Sequence, residues 1–113
     1  MLFKNRVVMT RQAWKSFRKF MEFKKLPRSV YPEMHFVCQV EAHSEYPRIH
    51  IICQYTDDFV SIDFHMDLSR HNSIHRDPLL MRFHKTMNDY KVMYSNLIRL
   101  KRVRDEVFDV KEA

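Results

Sequence analysis

The middle of the chain alternates apolar and polar positions with a period of two. Phe36, Cys38 and Val40 alternate with Val37, Gln39 and Glu41. Ile49, Ile51 and Cys53 alternate with Arg48, His50, Ile52 and Gln54, and Ile62, Phe64 and Met66 with Ser61, Asp63, His65 and Asp67. Turn-forming stretches, His43 to Pro47 and Thr56 to Phe59, separate the three segments. Residues 34–68 therefore predict a three-stranded antiparallel meander. A register that keeps the apolar positions on one face pairs Val40–Ile49–Met66, Cys38–Ile51–Phe64 and Phe36–Cys53–Ile62. The other face then carries the rows Glu41–Arg48–Asp67, Gln39–His50–His65 and Val37–Ile52–Asp63.

Helical periodicity flanks the meander on both sides. Thr10 is an N-cap, and Met9 and Trp14 stand at the two positions of a hydrophobic staple. From there Ala13, Trp14, Phe17, Phe20 and Met21 gather on one side, and Arg11, Lys15, Arg18, Glu22 and Lys25 on another. This first helix is expected to reach about Lys25, where Leu26-Pro27 stops it. The second starts at Asp77-Pro78. Its stripe Leu80, Phe83, Met87, Tyr90, Tyr94 and Leu97 passes to Leu100, Val103 and Val107. The expected fold is α+β: helix, three-stranded antiparallel meander, long helix, with both helices on one sheet face and all 113 residues in one domain. Residues 3–9 supply a fourth strand if they pair on an edge. A second helix running to about Val107 is roughly 45 Å long, against a sheet only about 15 Å wide. Its far half overhangs, and Tyr94, Leu97, Ile98 and Leu100 are the expected interface of a homodimer.

Composition removes many chemistries. The chain has no glycine, so phosphate-cradling loops, dinucleotide fingerprints and nucleophile elbows are excluded. No apolar run approaches a membrane span, and charges interrupt the apolar N-terminus, so no signal peptide is expected. Cys38 and Cys53 lack paired spacing and read as reduced, buried thiols of a cytoplasmic protein. No cofactor and no metal are expected.

Charge adds the main functional signal. The first 28 residues hold nine Lys/Arg against Glu22 alone, a local +8 in a chain of net +6. Arg11, Lys15, Arg18, Lys19 and Lys25, with a second cluster of Arg99, Lys101, Arg102 and Arg104, form a candidate polyanion-binding surface. The leading expectation is a small non-enzymatic module that binds nucleic acid, RNA more than DNA. A competing expectation is an inhibitor or adaptor of viral or phage type whose basic surface docks an acidic host protein. The enzymatic alternative is metal-assisted phosphodiester hydrolysis by Asp63, His65, Asp67 and His50, since a carboxylate–imidazole face is raw material for an oxygen–nitrogen metal site. His71, His75 and Asp77 are a looser version of that set. The element order resembles that of double-stranded RNA-binding domains in architecture. The stretch Ser69 to Asp77 has neither Lys nor Gly, so their phosphate-binding signature is missing and no functional residue carries over.

Overall fold

A computed structural model describes residues 5–112, with side chains as far as residue 96. The elements run β1 (Arg6–Thr10), α1 (Arg11–Met21), β2 (Lys24–Lys25), β3 (Glu33–Gln39), β4 (Arg48–Tyr55), β5 (Phe59–Ser69), β6 (Asn72–Ile74) and α2 (Pro78–Glu112). All strand pairs are antiparallel, in the order β1-β5-β4-β3-β2, with β6 pairing the end of β5 beyond β1. The class is α+β, and the two helices lie on one face of the sheet. The expected meander survives as β3-β4-β5, but it is the centre of a wider sheet. Residues 6–10 do pair on the β5 edge. Lys24–Lys25 and Asn72–Ile74 are strands too short for alternation to reveal.

The β4–β5 register is the expected one: Ile49↔Met66, Ile51↔Phe64 and Cys53↔Ile62 face each other, with His50↔His65 and Arg48↔Asp67 on the reverse face. The β3–β4 register is displaced by two residues. Cys38 faces Ile49, Phe36 faces Ile51 and Met34 faces Cys53. A slip of two preserves the apolar face, so alternation alone does not fix it. Val40 falls outside the strand, and Cys38 and Cys53 are no longer diagonal neighbours.

Local chemistry explains both helix starts. The Thr10 hydroxyl accepts from the Ala13 amide at 3.1 Å, and Met9 and Trp14 are both buried as the staple requires. Asp77 Oδ1 accepts from the Leu79 amide at 2.8 Å, one residue after Pro78 opens α2. The first helix ends earlier than expected. Glu22 turns left-handed (φ 57°) and its amide closes on Arg18 and Lys19 carbonyls, so Lys25 belongs to an edge strand. The core joins sheet to helices through rings: Trp14 meets Phe36 edge-on at 5.4 Å and Phe64 meets Phe83 at 5.2 Å. Leu80 and Met87 are fully enclosed. No helix among the described residues is long and apolar enough to cross a membrane.

Candidate functional site

The basic segment splits into two kinds of cation. Arg11 is tied down: its guanidinium donates to the Thr56 carbonyl and the Tyr31 hydroxyl, both at 2.6 Å, and lies over the Tyr31 and Tyr55 rings. Arg18 is exposed, with its guanidinium 4.4 Å from the Phe36 ring centroid. Lys15 and Lys19 occupy the solvent side of α1, opposite buried Ala13, Trp14 and Phe17. Lys24 and Lys25 stand exposed on the outer strand β2, followed by exposed Arg28. Among the described residues no carboxylate lies within ion-pair distance of Lys15, Lys19, Lys24, Lys25 or Arg28. Arg6 and Lys85, by contrast, each hold one, and Arg48 holds two. Phe20, 66% exposed, sits beside Lys19 and tilts against Tyr90. Arg99, Lys101, Arg102 and Arg104 lie outside the described side chains, as do Leu97, Ile98 and Leu100. Tyr94 is half-buried, stacked on Tyr90 and packed on the chain's own core.

The helix-free face of the sheet carries a continuous polar row. Asp67 is only 8% exposed. Its Oδ2 accepts from Arg48 Nε at 3.0 Å and lies 3.2 Å from His50 Nδ1, while Oδ1 lies 2.9 Å from His65 Nε2. The other nitrogen of His50, Nε2, is 2.9 Å from His35 Nδ1, and His35 Nε2 is 3.6 Å from Glu33. His75 approaches His65 edge-on, and a cavity of about 190 Å³ opens between them, lined also by Asn5, Ile52, Phe64 and Asp63. Burial, reinforced by neighbouring His65, pushes the His50 imidazole down to about 4. Burial also lowers His65, against the pull of Asp67. Both rings are therefore neutral near pH 7 and available as nitrogen donors.

Three of the four expected members of this site meet: His50, His65 and Asp67. Asp63 does not join them. It faces β1 and pairs with Arg6 at 3.2 Å, an ordinary cross-strand ion pair. The set of His71, His75 and Asp77 also disperses, since His71 is exposed and Asp77 caps α2. Arg48 does bind Asp67, but its second acid is Glu45 rather than Glu41. His35 belongs to the row and was not foreseen; the two-residue displacement of β3 brings it beside His50. Cys38 and Cys53 are free thiols, and burial pushes both above the usual range, which suits core packing rather than nucleophilic chemistry. Comparison with protein-family models, curated proteins and solved structures returns no match, so the functional reading rests on these residues and their geometry.

Proposed function

We propose that the chain is a non-enzymatic nucleic-acid-binding module that holds single-stranded nucleic acid, RNA in preference to DNA, across α1 and β2. The observation that carries this reading is the run of exposed lysines, Lys15, Lys19, Lys24 and Lys25, none of which has an acidic partner among the described residues. Uncompensated cations on one segment attract a polyphosphate and release its counterions. Exposed Phe20 adds a ring on which an unpaired base can stack, and this favours a single strand over a duplex. Contacts of this kind are mainly to phosphate, so binding is salt-sensitive and only weakly sequence-specific. The same reading includes a homodimer, in which α2 pairs along exposed Val92 and Met93 and doubles the cationic surface.

The test is fluorescence anisotropy with a labelled single-stranded RNA over a salt series. Replacing Lys15, Lys19, Lys24 and Lys25 together by Gln is expected to flatten the log–log salt slope by about two to three, at about 0.7 per phosphate contact. The melting temperature is expected to hold, because all four side chains face solvent. Arg11 is left in place, since its bonds to Thr56 and Tyr31 are part of the fold. A variant whose binding curves overlay the parent at every salt concentration would remove this surface from consideration.

A further inference from the structure

We propose that His50, His65 and Asp67 form a three-ligand site for a divalent transition-metal ion, with zinc the best fit to two imidazoles and a carboxylate. The site lies on the face of the sheet away from α1 and is independent of nucleic-acid binding.

Position comes first. His50 and His65 face each other across β4 and β5, and Asp67 stands two residues beyond His65 on the same face. One donor atom from each lies within 4.8 Å of the others. Tetrahedral zinc with bonds of about 2.0–2.1 Å sets its ligand atoms roughly 3.3 Å apart. Asp67 Oδ2 stands 3.2 Å from His50 Nδ1 and Oδ1 stands 2.9 Å from His65 Nε2, so each imidazole is already near that spacing from one oxygen of the carboxylate. Paired strands supply a stiffer platform than a loop.

The surroundings provide what metal-binding imidazoles need around them. A ligand histidine holds its remaining N–H on an outer acceptor, which fixes the tautomer. With the His35 proton on Nε2, the nitrogen 3.6 Å from Glu33, Nδ1 is left as an acceptor. His50 then donates from Nε2 to His35 and turns the lone pair of Nδ1 toward Asp67 Oδ2. A nitrogen lone pair and a carboxylate oxygen 3.2 Å apart repel unless a cation lies between them. Arg48 Nε donates to the same Oδ2 at 3.0 Å and orients the carboxylate. Asp67 is paired with Arg48, and exposed Glu33 and Glu45 at the margins add negative charge that favours a cation. A cavity beside His65 and His75 adjoins one of the three ligands. Three protein ligands leave a fourth position for water, as in catalytic rather than closed structural zinc sites.

The experiment is calorimetric titration of the chelator-stripped full chain with zinc chloride, paired with cobalt substitution read by visible absorption. One equivalent is expected to bind, with the intense cobalt bands of a four-coordinate site. His50→Gln and His65→Gln are each expected to weaken binding by roughly a hundredfold or more, and His35→Gln by about ten- to a hundredfold, as an orienting residue does. Asp63→Ala and His43→Ala are expected to change nothing. Circular dichroism of each variant establishes that it is folded, and His35→Gln keeps the test alive if a ligand variant is not. Absence of binding by the parent overturns the proposal. So does full-strength binding by folded His65→Gln. Long-range nitrogen–proton correlation spectra placing the His50 proton on Nδ1 in the metal-free chain overturn it too, because hydrogen bonds alone would then close the row.

Discussion

Glu22 and Arg28 show what the lack of glycine costs at single positions. Both adopt left-handed backbone, with φ of 57° and 71°, a region where a Cβ crowds the following carbonyl by about 1–2 kcal/mol. At Glu22 this residue is the stop signal of α1, the place where glycine is usual. Glu22→Gly is expected to stabilise the chain by about 0.5–1 kcal/mol after the added flexibility of the unfolded state is subtracted, read as a raised denaturation midpoint. His50 carries the clearest pH dependence. Its folded value is about 4 against an ordinary 6.5, so the unfolded chain takes up the proton first. The stability is fully present above about pH 6.5 and is lost as pH falls toward 4. The groups facing His50 are His35 and Glu33 on β3, Arg48 on β4, and His65 and Asp67 on β5. In chelator-treated protein the loss attributable to His50 is expected to be about 2–3 kcal/mol after discount for partial exposure. His50→Gln should flatten that part of the stability profile in denaturant titrations at pH 7, 5.5 and 4.5. An unchanged profile would place the proton elsewhere.

At the scale of elements, legibility depended on length and on what period each element imposes. The eleven residues of β5 and eight of β4 alternate cleanly, so their pairing was readable residue by residue, and with it the meeting of His50, His65 and Asp67. β3 was readable as a strand but not in register, because a two-residue slip buries the same side chains. That slip hid His35, the member of the row whose role depends most on register. The end of α1 was hidden for another reason: Leu26-Pro27 is the obvious stop, whereas the true stop is a left-handed Glu. Lys25 therefore moved from a helix face to an edge strand without leaving the cationic surface. The centre of the core can be tested directly. Phe64 is buried between Ile51 across the sheet and Phe83 of α2, and Phe64→Ala is expected to cost about 3–5 kcal/mol in chemical denaturation. A cost below about 1 kcal/mol would contradict this packing.

For the whole molecule, the sheet separates two chemistries. The helices cover its apolar face and carry the cationic surface outward, while the imidazole–carboxylate row occupies the other face. The long axis is 61 Å against 34 and 29 Å across, because α2 has 35 residues and the sheet beneath it is much narrower. Its described inner stripe ends at Tyr94, which the chain uses for itself by stacking on Tyr90, whose hydroxyl bonds to that of Ser16. Among the described residues, the apolar surface of α2 left open to self-association is the outer side, where Val92 is 58% and Met93 52% exposed. Met93→Glu places a charge there without touching the core, and an ionised carboxylate buried in an apolar interface costs several kcal/mol unless paired. Light scattering is expected to give the parent twice the 13.9 kDa of one chain, and Met93→Glu a single chain with unchanged circular dichroism. If the parent itself runs as one chain across the micromolar range, there is no homodimer. Nucleic-acid binding then falls to one copy of the lysine surface, and the RNA titration should saturate at one chain per site with no cooperativity.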